Sequence, residues 1–507
     1  MNLATRFVDR NVDEGRGDRV ALIHDYRETT GETTGETTYA ELAALVNRIG
    51  HVLRDLGVRK GDRVLLALSD GIEFVASWYA AQKIGAVTAE VYTFLKPKDY
   101  AYYLGYVAPA VVLVDEVTAG AVREAGGRNL LVVGEIELRD GERPFGTLVA
   151  EAPDRLDAEP MREDDEAIWK FTTGSTGSPK ACVHPVRSPL ASFENYARGV
   201  LGMSGSDRVL SVPKLFFGYA RDLAALFPFG VGGTGIAFAA RSTPDVLFEL
   251  IARHRPTVLV NVPTMMGAMA AHPSAPDQDL SCLRLCTSAG EALPPELHRR
   301  WDAAFGVEVV DGIGSSEAYH IYLSNSPGSP AHGTLGRLVP GYSARVLDED
   351  GNRLPDGEIG VLEVTGPTIA REYRGDPVKS AATFHGDTVR TGDLFSRDDG
   401  LFRHHGRADA LLKIGGIFVA PGEIENVLTA HPEVVDCAVV GYSDGGLTRA
   451  RAFVVLRDDS TTDAAELIAF AKVRLAGHKY PREIRFAEAL PRTANGKLDR
   501  RALEDLP

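Results

Sequence analysis

Apolar and polar positions along this chain alternate in blocks that predict strands and helices in turn. Residues 20–24, Val-Ala-Leu-Ile-His, predict a strand, and residues 39–49 predict a helix with its apolar side chains on one face. Residues 63–68 predict a second strand and 72–84 a second helix, and 111–114 and 130–133 continue the rhythm. Strand, helix and strand at this spacing imply a parallel sheet with crossover helices. The pattern returns downstream, with strands predicted at 208–212, 258–262, 283–288 and 307–310 and a helix at 244–254. The last two strands run into glycine turns, Ala289-Gly290-Glu291 and Gly312-Ile313-Gly314. In open α/β sheets ligands gather at the carboxyl ends of strands, so these turns suit the floor of a nucleotide site.

From about residue 340 the texture changes. Residues 346–351, 359–364 and 400–403 predict short strands joined by Asp-Gly turns, an antiparallel β subdomain. A polar crossing at Gly406-Arg407-Ala408-Asp409 precedes a small αβ unit that runs to Pro507. The predicted class is α/β. Residues 1–408 form a large domain of parallel-type α/β subdomains plus an antiparallel β subdomain at about 340–408, and residues 409–507 form a small mobile α+β domain. A chain of 507 residues needs more than one core in any case.

Composition removes several partners. The formal net charge is −15, spread along the chain, which argues against nucleic acid or an anionic membrane. No apolar run is long enough to span a bilayer, and residues 1–10 carry charges where a signal peptide needs an apolar segment. Four cysteines form no Cys-x-x-Cys pair, which fits reduced thiols in a cytoplasmic protein. Residues 30–38 duplicate Gly-Glu-Thr-Thr and predict a polar loop without chemistry.

The densest candidate chemistry is Phe171-Thr172-Thr173-Gly174-Ser175-Thr176-Gly177-Ser178-Pro179-Lys180. Glycines let backbone N–H groups approach an anion, hydroxyls add donors, and a lysine supplies a point charge. It is not a Walker A loop, because no Gly-Lys-Ser/Thr ending follows the spacer. On its own such a run is most often a surface loop.

Five further elements follow it in order: Ser288-Ala289-Gly290-Glu291, Asp311 to Glu317, Thr391-Gly392-Asp393, Gly406-Arg407-Ala408-Asp409, and Pro491 to Lys497. This order resembles the adenylate-forming superfamily of acyl-CoA synthetases, peptide-synthetase adenylation domains and beetle luciferases. Residues 8–12, 214–219, 314–317, His320-Ile321 and 323–325 are similar to the benzoate-CoA ligase group within it. Two stretches depart from that group: Ala220-Arg221-Asp222 after the tyrosine, and Ala89-Glu90-Val91-Tyr92.

The resemblance implies ATP-dependent activation of a carboxylic acid, benzoate-like and aromatic, to acyl-AMP, followed by transfer to coenzyme A. It implies ATP, Mg2+ and coenzyme A, with a small-molecule acid as partner and the chain a monomer or homodimer. Lys497 would contact the acid and the α-phosphate, Glu317 would hold Mg2+, and Asp393 would accept the ribose hydroxyls, with Arg407 near ribose and phosphate. Ala289, Gly290, Glu291, Asp311, Gly312, Ile313, Gly314, Ser315 and Ser316 would hold the nucleotide. Thr172 to Gly177 with Lys180 would take pyrophosphate. Phe217, Tyr219, Ala220, Gly314, His320 and Ile321 would line the acid pocket, whose phenyl and imidazole walls suit a flat ring. Asp409 would be the hinge of a rotating small domain. Lys413 would serve the thioester half, with Gly415 and Gly416 leaving room for the pantetheine arm.

Each residue also has a plainer role: Lys497 a solvated lysine beside Arg500 and Arg501, Glu317 a helix-start carboxylate, Asp393 a turn aspartate, Arg407 a surface ion pair. Three alternatives stay open: an enzyme that loads an acyl-carrier protein, a ligase for a bulkier non-benzoate acid, and a nucleotide-binding protein without turnover.

Overall fold

The structure, a computed structural model, describes residues 1–25, 34–172, 179–414, 417–444, 447–457, 459–477, 479–492 and 498–504. Two large sheets organise the first two-thirds of the chain. One has nine strands; its central strands, Val309–Gly314, Leu285–Ser288, Val258–Asn261, Arg208–Ser211, Thr234–Phe238 and Val20–Asp25, pair in parallel. The other has seven; Leu130–Val132, Val111–Val114, Arg63–Ala67, Val87–Glu90 and Glu166–Thr172 run parallel, and Lys180–Pro185 closes one edge antiparallel. The strands are buried on both faces, as Val258–Asn261 and Val111–Val114 are throughout, which is why they read as apolar runs. The parallel sheets and crossovers predicted from spacing are present.

Local sequence sets the element ends. Thr38 caps the helix Tyr39–Asp55 in a reciprocal box with Glu41. Pro244 follows the capping Thr243 at the start of Pro244–His254, the span predicted. Asp399 and Gly400, at φ 47° and 74°, make the tight turn between Thr388–Asp398 and Leu401–Arg407. Those two strands, with Gly360–Thr365 and Ser343–Leu347, form the predicted antiparallel subdomain.

Two expectations need correction. Gly312-Ile313-Gly314 is not a turn: the strand runs Val309–Gly314 and pairs antiparallel with Ile321–Ser324. A Cβ on Gly314 would lie 2.3 Å from the His320 carbonyl oxygen, so glycine is there for backbone approach and not for bending. Gly35–Thr38, predicted as loop, is a strand paired with Val20–Asp25. The rest of that duplication, 30–33, lies outside the described residues.

The smaller unit has its own sheet, Val434–Asp444, Leu447–Leu456 and Glu483–Phe486, with helices Pro421–Thr429 and Ala464–Arg474. It closes around a separate core that includes Val419, Ile424, Val439, Val454 and Leu467. No helix among the described residues is long and apolar enough to cross a membrane.

In the large unit, helix Pro295–Phe305 closes one face of the nine-stranded sheet through Trp301. Its indole is fully buried, donates to the Val307 carbonyl at 3.1 Å and packs edge-on to Phe305. We predict that Trp301→Ala costs about 3–5 kcal/mol of stability. Urea unfolding followed by circular dichroism should show it; a loss under about 1 kcal/mol would contradict this packing.

Candidate functional site

The strand ends of both large sheets, the antiparallel subdomain and the smaller unit open on one cleft of about 1170 Å3. Its walls include Thr172, Lys180, Ala289 to Glu291, Asp311 to Glu317, Asp393 and Arg407, brought together from segments more than 200 residues apart. Phe217, Tyr219, His320 and Ile321 line it too. Ala220 does not: it is fully buried behind the wall, which corrects its assignment to the acid pocket. Thr173, Gly174, Ser175, Thr176, Gly177, Gly415, Gly416 and Lys497 lie outside the described residues.

At the nucleotide end, Gly290 takes φ +89° and lets the chain turn after strand Leu285–Ser288. Glu291 accepts from the Thr264 hydroxyl at 2.6 Å and its backbone N–H at 3.2 Å. Gly392, at φ +74°, turns the chain before Asp393 and brings it against the Arg407 guanidinium. Arg407 donates to the Thr391 carbonyl at 2.9 Å, lies 3.6 Å from Asp393 and pairs with Asp409 at 3.2 Å. Asp409, in the short 3-10 turn Ala408–Ala410, therefore meets the very arginine that stands beside Asp393.

Glu317 follows Ser315 and Ser316, whose hydroxyls tie the loop down: Ser315 accepts from the Ala318 N–H and Ser316 donates to the Phe171 carbonyl. The Tyr373 hydroxyl donates to Glu317 at 2.7 Å. Among the described residues no group of three or more His, Cys, Asp or Glu is clustered as a metal site. Mg2+ needs fewer protein ligands, because it keeps waters and shares phosphate oxygens, so a single half-buried carboxylate beside a nucleotide cleft fits it. Lys180 pairs with Asp376 at 2.7 Å and is only one-quarter exposed.

Lys413 is exposed on the hairpin Leu412–Ile414 with Ile417–Val419 and is not on the cleft wall. From the smaller unit, Asn426 and Arg500 reach the wall, and Arg500 is held by Glu425. Arg492 bridges the two units, to Glu291 at 3.4 Å and Asp436 at 2.9 Å.

The aromatic end is built on Tyr219, whose hydroxyl pairs with Thr287 at 2.7 Å. His320 packs against Tyr196, Tyr219 and Phe227, and burial pushes its imidazole down to about 3, so it is neutral at ordinary pH. A neutral ring is an apolar wall with one hydrogen-bonding edge rather than a cation for a carboxylate. Within this wall and behind it lies a network that motif reading missed. Lys170 contacts Asp222 at 3.0 Å, and Arg221 contacts both Asp222 and Glu90 at 2.7 Å, with every side chain no more than 6% exposed. Burial lowers Lys170 to about 8 against the pull of Asp222. Burial alone would raise Asp222, but Arg221 and Lys170 outweigh it and bring it to about 2. Arg221 and Asp222, at 2% and 0% side-chain exposure, are core residues. The available signal was a lysine inside the apolar strand Ile168-Trp169-Lys170-Phe171.

Residues 8–374 match the AMP-binding enzyme model and 423–497 match the AMP-binding enzyme C-terminal domain, and the chain belongs to this family of adenylate-forming enzymes. It is 40% identical to a benzoate–CoA ligase of Thauera aromatica, over 98% of this chain and 95% of that one. Its fold is similar to a benzoate CoA ligase from Burkholderia xenovorans LB400, with TM-score 0.91, 38% identity and full coverage of both chains. It is also similar to the anthranilate CoA ligase AuaEII solved with anthranoyl-AMP, with TM-score 0.92, 33% identity and coverage of 99% and 96%.

Asp311 gives this site a pH signature. Burial pushes its carboxyl from the ordinary 3.8 up to about 7, and no donor reaches Oδ1 among the described residues. The folded state therefore keeps a proton that the unfolded chain releases near pH 4, so Asp311 costs stability progressively as pH rises from about 4 to 7. Asp311→Asn should gain on the order of 2 kcal/mol relative to wild type at pH 8 compared with pH 5. Thermal unfolding at both values reads this; a pH-independent difference would count against a buried ionising carboxyl.

Proposed function

We propose that the chain activates an aromatic carboxylic acid with ATP to acyl-AMP and pyrophosphate, and then transfers the acyl group to coenzyme A. The observation that carries this reading is the union, in one cleft, of Asp311 to Glu317 and Asp393 with an aromatic wall of Phe217, Tyr219 and neutral His320.

In the first step a carboxylate oxygen attacks the α-phosphorus, and the bond from phosphorus to the bridging oxygen of the β-phosphate breaks. Two anions are brought together, so the site must offer preorganised cations and dipoles. Lys497 supplies the cation at the bond being made. Asp393 accepts the ribose hydroxyls, and Arg407, already beside it, faces the phosphate. The backbone from Ala289 to Glu291 and from Gly312 to Gly314 holds adenine between two flat peptide surfaces, while Thr172, its neighbours and Lys180 take pyrophosphate. Glu317, oriented by Tyr373, holds Mg2+, which when bound offsets phosphate charge. In the second step the thiol sulfur attacks the acyl carbon, the carbon–oxygen bond to AMP breaks, and the thiol proton passes to solvent.

We place the boundary between the units at 408/409 with Asp409 as hinge. Lys413 is off the cleft wall in this pose, and a rotation about Asp409 would exchange the segment of Lys497 for the face of Lys413, Gly415 and Gly416. Four free cysteines, three of them buried, suit a reducing cytoplasm.

ATP–pyrophosphate exchange across benzoates, cinnamates, aliphatic and polycyclic acids tests the reaction and the acid together. Lys497→Ala should lose exchange by about 100-fold or more yet still convert supplied acyl-AMP and coenzyme A to thioester. Unchanged exchange in that variant would sink the assignment. Asp409→Pro should slow one half-reaction at least about tenfold more than the other; equal losses in both would speak against rotation.

A further inference from the structure

The wall of the aromatic pocket carries a carboxylate oxygen that no donor among the described residues reaches. Glu90 is the last residue of strand Val87–Glu90, and Lys170 lies on the neighbouring parallel strand, Glu166–Thr172. Ala89 stands opposite Trp169, so the next pair along, Glu90 and Lys170, sits side by side at the carboxyl ends of the strands. Both line the cleft together with Phe217, Gly218 and Tyr219.

The partners of this cluster can be followed atom by atom. The three directions of the Lys170 ammonium are filled by Asp222 at 3.0 Å, the Tyr319 carbonyl at 2.6 Å and the Tyr319 ring, whose centroid is 3.6 Å away. Asp222 is clasped by Arg221. Glu90 Oε1 accepts from the Trp78 indole at 2.5 Å and from Arg221 at 2.7 Å. No donor among the described residues reaches Oε2, although Glu90 is only 5% exposed and lines the cleft. A carboxylate oxygen in a closed wall is costly to leave without a donor. Water can serve it while the cleft is open, but a flat ring laid against Phe217 and Tyr219 displaces that water.

We propose that Glu90 Oε2 accepts a hydrogen bond from a substituent on the ring of the acid, so that the substrates are aromatic acids bearing a hydroxyl or an amino group. This rests on the reading of the cleft as an aryl-acid adenylation site. The cluster holds two cations, Lys170 and Arg221, and two anions, Asp222 and Glu90, so it offers no net charge to a cationic side chain and suits a neutral donor. Glu90 also repels the acid's own carboxylate, which turns the reacting end away from it. A bare ring, or a methoxy ring that accepts but cannot donate, leaves Oε2 stripped of water and unpaired. Sites built to bond a substrate polar group reject analogues lacking it far more strongly than apolar pockets reject an extra methylene.

The test is the ranking of kcat/KM in ATP–pyrophosphate exchange for benzoate and for its hydroxy, amino, methoxy and methyl derivatives at each ring position. The best hydroxy or amino acid should exceed both benzoate and its methoxy counterpart by at least about tenfold. In Glu90→Gln the amide oxygen can still receive Trp78 and Arg221 while its NH2 group faces the pocket, so an acceptor becomes a donor. The amino-to-methoxy ratio should then fall at least about tenfold. Benzoate or the methoxy acids equalling the donor-bearing acids in the wild-type enzyme would overturn the role of Glu90 and leave aryl-acid activation standing. Exchange with aliphatic acids and with no aromatic acid would overturn both. Should the variant fail to fold, the wild-type ranking decides alone.

Discussion

Four charges buried where the two parallel sheets meet constrain the rest of the site. Glu90 and Lys170 come from the seven-stranded sheet, and Arg221 and Asp222 from the helical segment after strand Arg208–Ser211 of the other. Removing such groups from water costs several kcal/mol per ion, and only complete pairing offsets it. The pairing therefore fixes how the segment from Gly218 to Asp222 lies against strand Glu166–Thr172. It explains Gly218: a Cβ there would lie 2.6 Å from the Lys170 ammonium. It also pins Tyr319, whose carbonyl and ring both take Lys170, and so sets its neighbour His320 against Tyr219. A buried ion network is weak evidence for stability, since apolar residues of similar volume often do as well. Here its yield is a specified geometry for the pocket wall.

Much of this protein could be read from its sequence, for reasons that also explain the failures. Strands buried on both faces are apolar runs, and Val111–Val114, Val258–Asn261 and Pro244–His254 fell within a residue of their predicted ends. Glycine misled at Gly312 and Gly314, because the same residue serves a bend and a close backbone approach, and only the partner strand Ile321–Ser324 tells them apart. Lys170 in an apolar strand hinted at a buried charge, but its network was illegible because Glu90 and Arg221 are 131 positions apart and no periodicity links them. Ala220 was misplaced by one step of a helix, the difference between a residue facing the cleft, Tyr219, and one facing the core.

An acidic chain that binds anionic substrates poses an electrostatic problem, and the cleft shows how it is met. Several cations in or beside it already have carboxylate partners. Lys180 is paired with Asp376, Arg407 with Asp409 and near Asp393, and Arg492 with Glu291 and Asp436. Each pair is partly exposed, where an ion pair contributes roughly 0–1 kcal/mol. A phosphate can therefore displace a carboxylate partner at small cost while finding the cation already in place.

The same arithmetic bears on motion between the two units. Arg492 is the ion bridge from the smaller unit to Glu291 on the floor of the cleft, at 3.4 Å with both side chains about one-quarter exposed. A contact of that kind positions the units without locking them. Arg407 and Asp409 make the complementary case, because they join the proposed pivot to Asp393. On the hinge proposed above, a phosphate that drew Arg407 toward it would weaken the 3.2 Å ion pair with Asp409. The proposed rotation and the proposed nucleotide contact would then share one cation, since Arg407 stands 3.6 Å from Asp393 and 3.2 Å from Asp409.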